Sequence, residues 1–179
     1  LDGHTAGLLV VAARASGSAG DDGLSLFTVH GDAQGLERVL LKSADPTRKI
    51  ARLNFDGVEA ELLGEEGGGA VPLQEALDIA MICLANEMVG GAERLFETAI
   101  EYSKMRVQFG RPIASFQSLK HKAADMLLDV EMAKSAAYYA AAAVDEGDDE
   151  VPALASLAKA AAADAYMQTA VHTVQIHGG

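Results

Sequence analysis

Cysteine is almost absent from the sequence: Cys83 is the one cysteine among 179 residues. A single cysteine excludes a disulfide framework within the chain and fits a reducing compartment. Cys83 lies in the apolar run AMICLA and has no acidifying neighbour in the sequence. We therefore expect a small buried hydrophobic side chain here rather than a nucleophile.

Basic residues are also scarce. The chain has 14 Lys and Arg against 26 Asp and Glu, which gives a formal net charge of -12 at pH 7. This balance argues against a sequence-independent hold on nucleic acid or on an anionic membrane surface, because both need positive charge. The excess of acidic residues fits solubility, and we predict neither nucleic acid nor membrane as a partner.

The sequence contains no long uninterrupted apolar run and no recognisable targeting segment. The alanine-rich stretches SAAYYAAAAV and ALASLAKAAAADAY are too short, or too interrupted by charge, to cross a bilayer. Half of the residues are hydrophobic, so a sizeable core is expected. The chain opens at LDGHTAG without a methionine and stops at QIHGG, which indicates cuts through a longer protein. A bacterial cytoplasm is the expected location, with a mitochondrial matrix as the alternative.

The first sixty-odd residues carry the patterns of β-strands. GLLVVAARA is an apolar run of strand length, and LSLFTVHGD alternates so that Phe27 and Val29 share a face. VLLKSAD and KIARLNFDGVEA follow, the latter with Ala51, Leu53 and Phe55 on one side of the pleat. Neither βαβ spacing nor a phosphate-binding glycine fingerprint is present. We predict antiparallel strands of a sandwich or small barrel.

The stretch LLGEEGGGAVP separates this half from the rest of the chain. Its glycine run is typical of a flexible linker, and Pro72 suits the first turn of a helix. No Lys-Ser/Thr pair follows, which disfavours a phosphate-binding loop. We predict two domains, the first over residues 1–66 and the second over residues 67–179.

The hydrophobic period becomes helical after this boundary. Two apolar faces recur in the first helix: Leu77, Met81, Leu84, Met88, Gly91 and Leu95 on one, and Ile82, Val89, Phe96 and Ile100 on the other. A helix that is apolar on two sides is expected in the centre of a bundle. Gly90 and Gly91 each cost about 1 kcal/mol relative to alanine in mid-helix, so we expect a neighbouring helix to approach the backbone there.

Two further helices are predicted, one from about Phe116 to the acidic run DEGDDE and one from near Pro152. Their expected core stripes are Phe116, Leu119, Ala123, Met126, Val130, Ala133, Ala137, Ala140 and Val144, and then Leu154, Leu157, Ala161, Ala165, Val171 and Val174. The alanines allow close helix axes. The predicted fold class is α+β, with an antiparallel β-sandwich or barrel portion followed by three long helices of an up-and-down four-helix bundle. A fourth helix is expected after Gly179.

The connection YSKMRVQFGRPIASFQ between the first two helices has an ordinary structural interpretation. Arg106 near the end of the first helix complements the helix dipole. Gly110 can cap that helix, Pro112 can stop it, and Ser115 can cap the next one. A plain helical hairpin would use all four residues in this way.

The same connection also suits a phosphate or pyrophosphate group. Arg106 supplies a planar fork of donors, and the start of the second helix offers backbone N–H groups beside the Gln117 amide. Phe109 and Phe116 add apolar surface for an aromatic ring. These residues by themselves support a phosphate-bearing cofactor and a helical hairpin about equally.

Two longer motifs resemble a known family. YSKMRVQFGRPIASFQSLKHKAADM resembles the Y-x-x-x-R-x-x-F-G-x-x-I-x-x-F-Q-x-x-x-x-x-x-A-D-M signature of the acyl-CoA dehydrogenases. AKAAAADAYMQTAVHTVQIHGG resembles their later A-K and Q-x-x-G-G element, and the strand half is similar to their middle domain. The resemblance covers essentially the whole chain.

The resemblance implies FAD-dependent α,β-dehydrogenation of an acyl-CoA thioester, with electrons passing to an electron-transfer flavoprotein. It implies that Arg106 binds the FAD pyrophosphate and that Phe109, Phe116 and Gln117 line the same dinucleotide. It further implies a tetramer, a dimer of dimers, in which a segment at the end of this chain contacts FAD across a subunit interface. That segment comprises Gln175, Ile176, His177, Gly178 and Gly179.

The resemblance assigns no catalytic base within this chain. In most family members the catalytic Glu lies beyond the Gly-Gly at which this sequence ends. In a minority it lies on the first bundle helix and is followed by Arg, positions that fall on Ala80 and Met81 here. Asp78 is the candidate substrate contact, and a solvated helix carboxylate is its alternative interpretation.

The remaining acidic and histidine residues show no metal-binding spacing. Glu87, Glu93, Glu97 and Glu101 are interpreted as a wetted helix face, and no metal site is predicted around His121, His172 or His177. Two alternatives to the dehydrogenase stay open. One is a non-catalytic partner subunit of a heterotetrameric dehydrogenase, suggested by Met81, and the other is an acyl-CoA oxidase.

Overall fold

A computed structural model of the protein describes residues 1–178, so Gly179 lies outside the described residues. The chain divides into two compact units, the first Leu1–Gln74 and the second beginning at Glu75. The division falls inside the first helix, and the predicted domain boundary after residue 66 stays a prediction.

The first unit is built from five short strands. They are β1 (Leu8–Arg14), β2 (Leu24–His30), β3 (Leu36–Leu40), β4 (Ala51–Phe55) and β5 (Glu61–Leu63). One sheet has the order β1-β2-β5 and the other pairs β3 with β4, all antiparallel. Leu9 and Val29 are cross-strand partners and are both buried. The predicted antiparallel strands are confirmed, but the third lies at Leu36–Leu40 rather than over VLLKSAD, of which only the first two residues belong to a strand. The described residues form no closed barrel.

The glycine-rich stretch after β5 is bound to β2 rather than free. Leu62 and Leu63 belong to β5, which pairs with β2. The N–H of Gly67 donates to Ser25 Oγ over 2.8 Å, and the N–H of Gly69 donates to the Leu24 carbonyl over 2.8 Å. The interpretation of this stretch as a flexible linker is therefore wrong, because its backbone groups are satisfied by the neighbouring strand.

The second unit contains three long helices. Helix α1 spans Ala70–Met105 and begins in the first unit, α2 spans Gln117–Glu146 and α3 spans Val151–His177. Gly147 ends α2 in the left-handed conformation, with a φ of 68°, and a short turn leads into α3. The predicted α+β fold with three long helices is confirmed. None of the described helices is both long and apolar enough to span a membrane.

Alanine faces form the core between the helices. The fully or nearly fully buried residues at the centre are Ile82, Ala85 and Val89 of α1, Ala133, Ala137 and Ala140 of α2, and Ala155, Ala158, Ala162 and Ala165 of α3. Small side chains let the axes of α2 and α3 approach closely. The predicted stripe of α2 is confirmed at Met126, Val130 and these alanines.

Two predicted stripes are shifted from the faces that are buried. Leu77 of α1 is 49% exposed, and Leu157, Val171 and Val174 of α3 are 59%, 52% and 59% exposed. The buried face of α3 runs instead through Ala155, Ala158, Ala162, Ala165, Thr169 and Thr173. Side-chain size misled the prediction, because alanines and threonines form the close contact and the larger side chains lie beside it.

Cys83 is exposed, so the prediction that it is a buried side chain is wrong. It follows Ile82, which is buried, and successive residues on a helix point about 100° apart. The side chains of the apolar run AMICLA thus lie on several sides of α1, and only some of them enter the core.

The mid-helix glycines of α1 differ in their surroundings. A Cβ added to Gly91 would lie 2.9 Å from Tyr166 of α3, whereas one added to Gly90 would meet nothing within 4 Å. The expected close approach of a neighbouring helix is confirmed at Gly91 and is not seen at Gly90 within the described residues.

The two glycines provide a matched pair for a stability test. We expect Gly90→Ala to raise the free energy of unfolding by about 1 kcal/mol through helix propensity. We expect Gly91→Ala to give a smaller gain in the free energy of unfolding, because its Cβ would lie 2.9 Å from the Tyr166 ring, which must move. Urea unfolding of both variants of the full-length protein measures the difference. Equal stabilisation by both substitutions would contradict the contact.

An ion pair joins α1 to α2 on the outside of the core. Lys134 Nζ donates to Glu93 Oε1 over 2.5 Å, with both side chains about one-third exposed. The hydrogen bond that Lys134 donates to Glu93, and then the negative charge of Glu93, raise the pKa of Lys134 above its usual value. Glu93 therefore does not belong to a purely wetted face, unlike the exposed Glu97, which pairs with Arg94.

The raised pKa of Lys134 gives this ion pair a defined pH dependence. A group whose pKa is higher in the folded state stabilises the fold fully below its unfolded pKa, here near 10.5. The stabilisation is lost as the pH rises through the folded value. The difference in thermal midpoint between wild type and Lys134→Met should therefore be constant from pH 7 to 9 and shrink above pH 10.5. The pairing would be refuted if the difference in thermal midpoint were unchanged at pH 11.5, about one unit above the unfolded pKa of lysine.

Candidate functional site

A tight hairpin follows α1 and carries the first predicted site residues. Strands β6 (Val107–Gln108) and β7 (Arg111–Pro112) pair through Val107 with Pro112 and Gln108 with Arg111. Phe109 and Gly110 form the two-residue loop, with φ values of 54° and 77°. Two positive φ values fit a type I′ turn. Gly110 is therefore a hairpin residue, and its prediction as a helix cap is wrong.

Arg106 stands between α1 and this hairpin. Its N–H still donates to the Tyr102 carbonyl over 2.8 Å, and its own carbonyl accepts from the N–H of Ile113 over 2.8 Å. These two bonds fix its backbone, while its side chain is exposed and has no hydrogen-bonding or ionic partner among residues 1–178. The donors of the planar guanidinium are therefore all unused among the described residues.

The start of α2 is left without a side-chain cap. A 3-10 turn at Ile113–Ser115 precedes it, and Phe116 occupies the cap position with φ -79° and ψ 130°. Ser115 was the predicted cap, but its hydroxyl donates to the Pro112 carbonyl over 2.7 Å instead. No side chain in the described residues caps the first turn, so the N–H groups of Gln117 and Ser118 remain available to an anionic group, whereas that of Leu119 donates to the Phe116 carbonyl over 3.1 Å.

The two phenylalanines of the connection contact each other. Their ring centroids are 6.0 Å apart with an interplanar angle of 84°, an edge-to-face arrangement. The Arg111 guanidinium lies 4.2 Å from the centroid of Phe116. Phe109 is 90% exposed although it is aromatic and has a positive φ. A bulky residue is unfavourable in that conformation, and the ring gains no burial in the described residues that would offset this cost.

The end of α3 packs against the end of α1. The rings of His177 and Tyr102 stack with centroids 4.1 Å apart. His177 Nδ1 lies 2.7 Å from the Thr173 carbonyl and therefore donates to it. Ile176 is half-buried, and Gly178 ends the helix with a φ of 97°. Gly179, also predicted at this site, lies outside the described residues.

Lys122 connects the start of α2 to the end of α3. Its Nζ lies 3.1 Å from His172 Nδ1 and 3.5 Å from Gln175 Oε1. One turn earlier, Gln117 Nε2 lies 3.1 Å from His121 Nε2. Tyr102 opens the Y-x-x-x-R-x-x-F-G motif but was given no role from the sequence, and Lys122 was not predicted because its partners lie in α3.

The structure thus brings most predicted site residues to one end of the helical unit. Phe109 contacts Phe116, Tyr102 links the end of α1 to His177, and Lys122 links α2 to Gln175. The side chains offered there are mainly hydrogen-bond donors and aromatic rings. This donor set suits an anionic molecule that carries a flat ring. The described residues contain no cluster of His, Cys, Asp and Glu suited to a metal ion.

Asp78 is the predicted residue that lies apart from this group. It precedes Arg106 by 28 positions on α1, a distance of roughly 40 Å along the helix. It is only 3% exposed, so its interpretation as a solvated carboxylate is wrong. Its contact with a substrate stays a prediction.

Comparison with known proteins supplies an independent view of this chain. Residues 67–179 match the model of the acyl-CoA dehydrogenase C-terminal domain. An acyl-CoA dehydrogenase of Bacillus subtilis is 36% identical over 183 residues, covering 99% of this chain and 48% of that protein. The chain therefore spans about half the length of the curated relatives it matches.

Solved structures agree with this match over nearly the whole chain. Butyryl-CoA dehydrogenase from Megasphaera elsdenii superimposes with a TM-score of 0.93 at 33% identity, covering 99% of this chain and 48% of that one. A chain in the structure of the electron transferring flavoprotein of Acidaminococcus fermentans gives a TM-score of 0.91 at 35% identity, with 98% and 47% covered.

The type I′ turn makes a direct prediction about Phe109. We expect Phe109→Asn to raise the free energy of unfolding by about 1 kcal/mol, because asparagine tolerates a positive φ far better than phenylalanine. Thermal unfolding of the full-length variant, monitored by circular dichroism, measures this change.

The neighbouring residue supplies the control. Gly110→Ala should lower stability by about 1 kcal/mol, since its φ of 77° disfavours any side chain. If Phe109→Asn lost as much stability as Gly110→Ala, the Phe109 ring would have to stabilise the folded chain by packing. The expectation that its positive φ costs free energy would then be wrong.

Proposed function

Because the chain belongs to the acyl-CoA dehydrogenase family, we propose that it forms part of an FAD-dependent enzyme that oxidises an acyl-CoA thioester to the trans-2-enoyl-CoA. FAD, when bound, accepts the β-hydrogen as hydride while a carboxylate removes the α-proton. The residues of this chain bind and orient the cofactor. The proposal does not assign the carboxylate to any of them.

The observation that carries the proposal is the unpaired Arg106 guanidinium between the end of α1 and the uncapped start of α2. An FAD pyrophosphate carries two negative charges at neutral pH. Arg106 can bind it through two parallel hydrogen bonds, and the first-turn N–H groups of α2 add the positive end of a helix dipole. A site of donors with no charge partner among residues 1–178 fits an anionic ligand.

The other predicted residues have complementary parts in the proposal. Gln117 donates an amide to the dinucleotide, and the exposed Phe109 ring offers a flat apolar face to one of its ring systems. Gln175, Ile176, His177 and Gly178 contact FAD from the end of α3, and Gly179 continues that segment. In the proposed dimer of dimers these contacts reach the FAD of a neighbouring subunit.

Electrons are proposed to leave through an electron-transfer flavoprotein. This proposal is supported by the similarity to a chain solved with the flavoprotein of Acidaminococcus fermentans. The proposed location is a bacterial cytoplasm, in keeping with the bacterial origin of the relatives described above. Asp78 is kept as a proposed contact of CoA or substrate, distant from the dinucleotide residues.

A second candidate function is a non-catalytic partner subunit of a heterotetrameric dehydrogenase. It is favoured by Ala80 and Met81, an exposed alanine and a half-buried methionine where a minority of the family carries Glu and Arg. Addition of acyl-CoA to the purified full-length protein separates the candidates. An active dehydrogenase bleaches the flavin absorbance near the visible maximum, whereas a partner subunit leaves it unchanged. An oxidase bleaches it and also produces peroxide with oxygen.

Replacement of Arg106 tests the cofactor site itself. We expect Arg106→Met to weaken FAD binding about 10- to 100-fold, because a charged donor pair contributes roughly 1.5–3 kcal/mol. Arg106→Lys should retain part of the affinity, since it keeps the charge without the planar fork. Quenching of flavin fluorescence during titration of the apoprotein measures the dissociation constants.

Lys104 offers a matched control for this test. It is an exposed cation two residues before Arg106, so Lys104→Met makes the same charge change near the same helix end. We expect less than a twofold change in affinity, since an exposed charge that does not contact the ligand contributes little. Equal losses in Arg106→Met and Lys104→Met, or a wild-type protein that takes up no FAD, would end the proposal.

A further inference from the structure

Lys122 occupies a place in the helical unit that its sequence context does not reveal. It lies near the start of α2, is half-buried, and reaches across to the end of α3. Its ammonium is 3.1 Å from His172 Nδ1 and 3.5 Å from Gln175 Oε1. An ammonium can only donate, so both of these atoms act as acceptors.

The contact with His172 holds the lysine in place. With Nδ1 as the acceptor, the N–H of the ring lies on Nε2 and points away from Lys122. His172 is itself half-buried on α3, three residues before Gln175 and on the same side of the helix. Two acceptors one turn apart therefore limit the rotamers of a side chain that would otherwise be flexible.

The contact with Gln175 has a directional consequence. A glutamine amide has an acceptor end and a donor end, and a free amide can present either one. Because Lys122 lies on the Oε1 side, the amide is turned so that its two N–H donors point away from Lys122. Donors are what the oxygen atoms of a dinucleotide require. The orientation of Gln175 is thus set by a residue on another helix.

We propose that Lys122 is a positioning residue for the cofactor site, acting through Gln175 rather than by its own contact with FAD. The inference rests on the proposed function, and it names how one side of the dinucleotide site is held in a donating orientation. It also ties the start of α2 to the end of α3, so that both contribute to the same site with a fixed spacing.

The test is a double-mutant cycle in the full-length protein. Lys122→Met keeps the length of the side chain and removes the donor, and Gln175→Ala removes the amide. We expect Lys122→Met to weaken FAD binding about tenfold and Gln175→Ala by a similar factor. The double variant should bind no more weakly than Gln175→Ala, because Lys122 has nothing left to orient. Dissociation constants come from flavin fluorescence quenching, and thermal midpoints of the apoproteins are measured in parallel.

Lys120→Met is the control that separates an effect on the orientation of Gln175 from a general effect of positive charge. It lies on α2 two residues earlier and is exposed, so Lys120→Met removes one positive charge from the same region without touching α3. We expect a change in FAD affinity of less than twofold. Lys122→Arg should retain most of the affinity, because it preserves a donor at the end of a long side chain. Lys122→Leu, which also removes the donor, is measured in place of Lys122→Met if the latter does not fold.

Each outcome of these measurements decides the inference. A loss of affinity that appears in Lys122→Met but not in Lys120→Met, and that vanishes in the Gln175→Ala background, supports it. Equal losses in both lysine variants, an undiminished loss in the Gln175→Ala background, or wild-type affinity in Lys122→Met overturns it while the proposed function stands. A wild-type protein that binds no FAD overturns both.

Discussion

The close approach of alanine-lined helix faces is the constraint on which the rest of the second unit depends. Ala137 of α2 and Ala158 of α3 have no exposed surface, and so small a side chain leaves only a short distance between the helix axes. Short connections then require antiparallel neighbours, so the end of α1, the start of α2 and the end of α3 meet. The packing of these alanines therefore brings the site residues together, although the alanines lie far from the site.

The hydrophobic period of the sequence predicts the main strands and helices, but it does not predict which face of each helix is buried. Strands β1, β2 and β4 and the three helices follow directly from apolar alternation and helical spacing, whereas β3 was predicted too late in the sequence. Leu157 and Val174 misplaced the core of α3, because apolar size and closeness of packing are different properties. Strand β5 was missed since its three residues are too few to show a period and depend on pairing with β2.

The candidate site was predictable in its residues and not in its geometry. Arg106, Phe109 and Gln117 could be identified because their spacing matches a family motif. The uncapped start of α2 could not be predicted, since Ser115 is by residue type a good N-cap. The positive φ of Phe109 could not be predicted either. Lys122 could not be predicted as a site residue, because its partners lie about fifty positions later in the sequence and are brought near it by tertiary packing.

The two-residue loop of the hairpin limits how this part of the chain can change during evolution. Phe109 and Gly110 close the loop, and the pairing of Gln108 with Arg111 leaves no spare position between the strands. One inserted residue would replace the turn type, rotate the aromatic ring and shift the spacing from Arg106 to α2. The connection should therefore tolerate exchanges of side chains among homologues while its length stays constant.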